Sequence, residues 1–301
     1  MPTVLITGAS RGLGLEFAEQ YHQDGWKVIA TARNLQNADK LNSFKDKFYI
    51  REMDVTEQSH IDRVKSEFQD EKIDVLINNA AIHGPHDKRS SFGNIDILEW
   101  TSVFMVNTIA PIKVTEAFFD CVKNSIQKKI VFISSRSASI SERGTLPHHK
   151  PGGPYIYRSS KAALNAITQS LSFDYTRLGF SFIVLHPGFV KTEMAIGDTD
   201  LDVTKSVDGM KKIIAESTPN DNGVNEIFLP IFNGIDPVNY DLYIFNRWGE
   251  LIFDSHHLDV GWDGTRKGVK SPEGVYVYKI LARDEINGEL HKYVGHINLI
   301  R

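Results

Sequence analysis

The stretch TVLITGASRGLG, residues 3–14, passes from an apolar, β-branched run through small residues into a helix-forming segment. That order describes a strand, a tight turn and the start of a helix. Gly8, Gly12 and Gly14 set a G-x-x-x-G-x-G spacing inside it. Small residues let a backbone come close to a pyrophosphate, and a helix N-terminus offers free N–H groups and partial positive charge. The loop by itself is a weak signal; it gains meaning from the segments on its C-terminal side.

Outward from this loop the pattern repeats. A helix is expected from Leu13 to about Asp24, then a strand at WKVIATA, a helix at IDRVKSEFQ and a strand at IDVLINNAA. TSVFMVNTIAPIKVTEAFFDCVKNS reads as one long helix and KIVFISS as a strand. YRSSKAALNAITQSLSFDYTRL, FSFIVLHPG and TKSVDGMKKIIAES continue as helix, strand and helix. Continuous apolar strands separated by helices predict an α/β fold, a doubly wound parallel sheet covered on both faces. After Ser217 the character changes. DLYIFNRWGELIFDS and GVYVYKILARDEINGELHKYVGHINLI alternate apolar and polar residues between turns, which predicts a small all-β antiparallel sandwich. The expected units are therefore residues 1–217 and 218–301.

Charge and composition divide at the same place. Residues 1–217 hold 26 basic and 26 acidic side chains, whereas residues 218–301 hold 8 and 12, which accounts for the whole chain's net charge of −4. Alanine occurs 15 times before the boundary and once after it, at Ala282. No basic block suggests nucleic acid, and no apolar run is long enough to span a bilayer. The first residues, MPTVLITGAS, enter a strand directly without a basic leader, so the expectation is a cytoplasmic chain. The single Cys121 forms no internal disulfide and fits a reducing compartment.

Several segments carry chemistry. The second strand ends ATARN, with Ala32 and Arg33 where an acid would hold a ribose 2′-hydroxyl, and Arg11 lies in the glycine loop. Two cations and no acid favour a 2′-phosphate, hence NADP(H). In YIYRSSK, Tyr157 and Lys161 lie four apart on one helical face. A phenol is a poor acid at neutral pH unless a neighbouring cation lowers its pKa of about 10. FISSRSAS supplies Ser134 and Ser135, INNAA ends a strand at Asn78–Ala81, VFMVN places Asn107 in a helix, and HPGFVKTEM offers Pro187, Gly188 and Thr192. All follow the carboxyl ends of strands or lie on the helices beyond, where doubly wound sheets bind ligands.

With these segments in this order, residues 1 to about 217 resemble the short-chain dehydrogenase/reductases, in particular the C-factor and sniffer-type carbonyl reductase branch. The resemblance implies that Gly8, Arg11, Gly12, Leu13 and Gly14 contact the cofactor phosphates and that Arg33 selects NADP. It implies that Asp54 and Val55 flank the adenine and that Asn79, Ala80 and Ala81 line the central cofactor groove. Pro187 and Gly188 lead to Thr192, which would hold the nicotinamide amide. Ser135 would bond the substrate carbonyl and Tyr157 would deliver its proton. Lys161 would bind ribose and depress the Tyr157 pKa, and Asn107 would hold a relay water. The substrate is then a small-molecule carbonyl or alcohol, with a homodimer as one assembly the resemblance allows. Ala81 stands where glycine is usual, and the 22 residues from Ser135 to Tyr157 exceed the family norm. The added segment SERGTLPHHKPGGP lies beside the expected substrate mouth, and its His148–His149 pair is read as exposed, with no metal expected.

TPNDNGVNEIF, NRWG, WDG, PEGVYVY and GHINLIR resemble a second family, the gliding-motility-associated C-terminal domain. That resemblance implies a sorting signal for the Bacteroidetes type IX secretion system, with the secretion machinery as a partner and a secreted or cell-surface location as the alternative to the cytoplasm. Trp248, Trp262, Tyr276 and Tyr278 are expected in core or edge packing, and NDNGVNE as an Asx-rich turn. NEIFLPIFNG reads equally as the reductase's last strand or the second unit's first. Beside the reductase reading stand two others, a non-catalytic surface or signalling protein and a chimeric chain with an inactive first domain.

Overall fold

The computed structural model describes residues 1–140, 153–190, 201–219, 228–230, 235–285 and 287–299. The chain divides into two compact units, Met1–Gly223 and Val224–Arg301.

In the first unit β1 (Thr3–Ile6) leads to α1 (Gly12–Gln23), β2 (Lys27–Ala32), the short α2 (Asp39–Asn42) and β3 (Tyr49–Glu52). Then come α3 (Gln58–Glu67), β4 (Val75–Asn78), α4 (Ile97–Phe104) and α5 (Ala110–Lys123). β5 (Lys129–Ile133), α6 (Tyr155–Tyr175), β6 (Ser181–Leu185) and α7 (Val203–Glu216) complete it. The six strands pair in parallel in the order β3-β2-β1-β4-β5-β6. The order reverses between β1 and β4, so the glycine loop and the Asn78–Ala81 segment emerge side by side at the point where such sheets bind nucleotides.

β1, β4 and β5 are buried along their whole length, which explains their unbroken apolar sequence. One face packs Phe17, Ala18 and Tyr21 of α1 with Val207, Met210 and Ile214 of α7; the other packs Val114 and Phe118 of α5 with Leu164 of α6. Each such Val, Leu, Ile, Phe or Met side chain contributes about 1.5–3 kcal/mol of burial. β3, YIRE, did not stand out in the sequence because it is an edge strand with a half-exposed, charged pattern. The expected single long helix is interrupted. Met105–Ile109 forms a π turn between α4 and α5, and Asn107 lies inside it. Such wide turns shift a side chain out of α register and recur at functional sites. At the far end, Lys129 is buried and donates its Nζ to the carbonyls of Ile214 and Ala215 at 2.5 and 2.9 Å, satisfying the last turn of α7.

In the second unit β7 (Ile235–Phe245), β8 (Leu251–Ser255), β11 (Gly274–Asp284) and β12 (Leu290–Leu299) form an antiparallel sheet in the order β12-β11-β7-β8, and β9 (Thr265–Arg266) pairs with β10 (Val269–Lys270) as a ribbon. Tyr240, Leu242, Ile244, Tyr276, Ile280 and Ala282 turn inward with Trp262. The Tyr278 ring covers Gly295 on the neighbouring strand, leaving no room for a Cβ there. Trp248 departs from expectation: it is 76% exposed, with Arg247 over its ring at 4.2 Å. The Asn246 side chain instead closes that turn, accepting from the N–H groups of Trp248 and Glu250. Phe228 exchanges two backbone hydrogen bonds with Trp262. Its segment therefore pairs inside the second unit, and among the described residues β6 is an edge of the first sheet.

Candidate active site

The glycine loop is held by the end of β4. Asn79 and Ala80 donate their backbone N–H groups to the Thr7 hydroxyl at 3.0 and 3.1 Å, and Asn79 Nδ2 donates to the carbonyls of Thr7 and Gly8, each at 3.0 Å. Asn79 thus spends its amide on shaping the loop. Gly8 has φ +68°, and a Cβ there would meet the Ala80 backbone at 2.8 Å; one on Gly14 would collide with the Gly8 carbonyl. Only glycine permits this close approach. α1 starts at Gly12 with no side-chain cap and no acid in its first turn. Its N–H groups and the positive end of its dipole are left for an anion, so the loop fits a dinucleotide pyrophosphate.

Arg11 and Arg33 are exposed at the rim, while Leu13 packs partly into the core. The Asp54 carboxylate accepts from the Thr56 N–H and hydroxyl at 2.9 and 2.7 Å, and Val55 is buried beside it. Ala81 is half-buried on the chain leaving β4. Pro187 accepts from the Ser206 hydroxyl at 2.6 Å, and Gly188 turns with φ +82° against Leu201. Thr192, the His148–His149 pair and the NDNGVNE turn lie outside the described residues. Among the described residues no group of three metal-binding side chains occurs.

The two serines after β5 separate in role. Ser134 is buried and donates to Asn165 Oδ1 at 2.7 Å. Ser135 caps the following turn, accepting from the Ser137 N–H at 3.1 Å, and its hydroxyl is the side-chain group that acts on the Tyr157 phenol. Tyr157 and Lys161 project from successive turns of α6. Burial raises the Tyr157 pKa, and the Ser135 hydrogen bond pulls it back down. The expected depression by Lys161 is not part of this arrangement. Lys161 is buried, its Nζ donates to the Ile133 carbonyl at 2.8 Å, and burial lowers its own pKa to about 7. A lysine whose charged form is disfavoured by burial is a weaker electrostatic partner for a phenol.

Asn107 is fully buried and acts as a clamp. Its Oδ1 accepts from the Ile82 N–H at 2.9 Å, and its Nδ2 donates to the Ile82 carbonyl at 2.8 Å and to Ser160 Oγ at 3.1 Å. Ser160 Oγ in turn donates to the Tyr157 carbonyl at 2.8 Å. Sequence reasoning missed Thr7, Ser160 and His83. The His83 ring lies against Tyr157 with centroids 4.5 Å apart and planes 14° from parallel. The available signal was its place two residues after Ala81, on the chain leaving β4.

Residues 2–200 match the short chain dehydrogenase family model, and residues 212–299 match the CHU_C Type IX secretion signal domain. The chain is 34% identical to C-signal of Myxococcus xanthus over 151 residues, covering 50% of this chain and 86% of that protein. An NADPH-bound carbonyl reductase from chicken fatty liver superposes with a TM-score of 0.66 at 31% identity, covering 74% of this chain and 94% of the other. The carbonyl reductase Sniffer of D. melanogaster gives 0.64 at 28% identity, covering 74% and 95%. A six-stranded parallel sheet, a glycine loop at its switch point and a Ser–Tyr–Lys set beyond β5 accompany these likenesses, and the chain belongs to the short chain dehydrogenase family of oxidoreductases.

Proposed function

We propose that residues 1–217 catalyse NADPH-dependent reduction of a small-molecule carbonyl, or the reverse oxidation of an alcohol, and that residues 218–301 form a sorting module for type IX secretion. The observation that carries the enzymatic reading is the convergence of Ser135, just beyond β5, and Tyr157, on α6, whose side chains interact. Two converging hydroxyls are what a carbonyl oxygen requires as it gains negative charge: one donor to stabilise it and one acid to protonate it.

In this reading Gly8, Gly12, Leu13 and Gly14 hold the pyrophosphate at the open end of α1. Arg11 and Arg33 take the 2′-phosphate as charge-assisted partners. Asp54, Val55, Asn79, Ala80 and Ala81 border the adenine and central groove, with Pro187, Gly188 and Thr192 at the nicotinamide end. The chemistry the dinucleotide supplies when bound is a hydride. Ser135 orients the substrate oxygen, and the Tyr157 hydroxyl gives it a proton. Lys161, one turn of α6 beyond Tyr157, binds the ribose, and Asn107 holds the loop and helix that frame the site. The same reading is compatible with a homodimer. Likeness to an NADPH-bound carbonyl reductase supports the cofactor assignment.

A non-catalytic signalling role is favoured by one observation, the match to the protein named C-signal. Fluorescence titration with NADPH and NADH, followed by a carbonyl panel with wild type and Tyr157→Phe, separates the two. Tight NADPH binding with turnover lost in Tyr157→Phe supports the reductase; cofactor binding without turnover of any carbonyl favours the signalling role. NADPH use suits the cytoplasm, whereas the secretion-signal match favours export, and cell fractionation of the chain with and without residues 218–301 decides between them.

A further inference from the structure

Three rings stand in a column at the mouth of the site. Tyr157 and His83 lie 4.5 Å apart at 14°, and His83 and His86 lie 4.2 Å apart at 24°. His83 is half-buried and His86 exposed, so the column runs from the phenol outward to solvent.

We propose that His83 is the positioning residue for Tyr157: its ring is the wall that holds the phenol where it meets Ser135, and His86 backs that wall from the solvent side. The inference rests on the reductase reading, because it assigns Tyr157 as the proton donor.

The backbones on both sides of the stack are fastened together. Asn107 grips both polar backbone atoms of Ile82, the residue before His83, and bonds Ser160, which bonds the Tyr157 carbonyl. The chain beyond His83 is equally constrained. Gly84 has φ +77°, a Cβ there would strike Val103 at 2.7 Å, and Pro85 is buried. A ring carried on a fixed backbone can fix a ring packed flat on it. Tyr157 needs such support because its hydroxyl is at the far end of the side chain, where a small rotation about the Cα–Cβ bond displaces it most. Parallel ring contact also covers one face of the phenol, leaving the Ser135 side for a carbonyl to approach. His83 does this without adding charge at neutral pH. Burial, and then the neighbouring His86, lower its pKa to about 4 against a smaller opposing effect of the Gly84 backbone, so the imidazole is neutral.

The test compares wild type, His83→Phe, His83→Leu and His83→Ala. Phenolate absorbance is titrated in each full-length chain, and the titration of the same chain carrying Tyr157→Phe is subtracted to isolate Tyr157. Wild type and His83→Phe should titrate above the ordinary phenol value of about 10; His83→Ala, with the cover gone and water admitted, should titrate lowest, and His83→Leu, which fills volume without a flat ring, between them. With NADPH and any carbonyl that wild type reduces, kcat should fall roughly 10²-fold in His83→Ala and recover in His83→Phe, while the KM for NADPH stays unchanged. His83→Leu preserves apolar volume and keeps the test readable where His83→Ala fails to fold. A merely structural role would change the folded fraction and leave the Tyr157 midpoint in place. Equal midpoints in all four chains overturn the inference, even where carbonyl reduction is intact. Shifted midpoints in a chain that reduces no carbonyl uphold the packing role and overturn the reductase reading instead.

Discussion

Asn107 Nδ2 donates to Ser160 Oγ at 3.1 Å, and through this bond the π turn between α4 and α5 is tied to α6 one turn away from Tyr157. The same amide holds Ile82, so one buried side chain joins three segments of the site. Replacing Asn107 with the similarly shaped Leu strands the Ile82 N–H and carbonyl in the interior. Each buried group left unsatisfied costs about 1–3 kcal/mol. Urea unfolding of Asn107→Leu should show a lower midpoint at an unchanged slope.

Tyr157→Phe removes the proton donor and keeps the ring that packs on His83. Turnover should fall roughly 10²–10⁴-fold, the usual contribution of a positioned general acid. NADPH affinity should stay within a factor of about two, since the phenol oxygen is not part of the phosphate cradle. Steady-state kinetics alongside fluorescence titration read both.

Lys161 gives a pH dependence of stability with a definite sign. Its folded pKa of about 7 lies below the ordinary lysine value of about 10.4, so between these values the unfolded chain binds a proton the folded chain lacks. Stability from this group therefore rises with pH across roughly 7 to 10 and is flat below 7. Melting temperatures of wild type and Lys161→Met, compared point by point over that range, should show wild type gaining relative to the variant as pH rises. A constant difference would mean that Lys161 is not a buried, partly neutral lysine.

Arg33 at the end of β2 is exposed and has no acid beside it in the sequence before Asp39. Arg33→Glu should weaken NADPH roughly 10–100-fold, as expected for losing a charge-assisted bond of about 1.5–3 kcal/mol, and leave NADH less affected. Parallel titrations with the two cofactors measure the ratio.

Trp262 is the largest fully buried side chain, and its Nε1 donates to the Thr265 carbonyl at 2.7 Å. Trp262→Ala should destabilise the Val224–Arg301 unit by about 3–5 kcal/mol. NADPH binding, which depends on the other unit, should be unchanged. Calorimetry with and without NADPH separates the two transitions, because ligand raises only the one it binds.

Much of the fold was legible because burial on both faces leaves a strong mark. β1, β4 and β5 are continuous apolar runs, and the glycine spacing at residues 8, 12 and 14 reports a backbone contact that admits no Cβ. β3 was not legible, since an exposed edge strand is selected for short length and charge. The break in the long helix was hidden too: Met105–Ile109 is as helix-compatible in composition as its flanks, and what widens the turn is Asn107 reaching Ile82 and Ser160.

The residues of the candidate site divide the same way. Side-chain chemistry and spacing on one element are local properties, so the pair Tyr157–Lys161 on one face of α6, Arg11 in the glycine loop and Arg33 at the end of β2 are determined by the sequence itself. Partnership across elements is not local. Whether Ser134 or Ser135 meets Tyr157, whether Lys161 faces the phenol or the Ile133 carbonyl, and whether Phe228 pairs with the first sheet or with Trp262 depend on which backbones the fold brings within hydrogen-bond reach. The stacking of His83 on Tyr157 belongs to that second kind, because residues 83 and 157 are brought together by the packing of the chain after β4 against α6 and by the Asn107 and Ser160 hydrogen bonds between them.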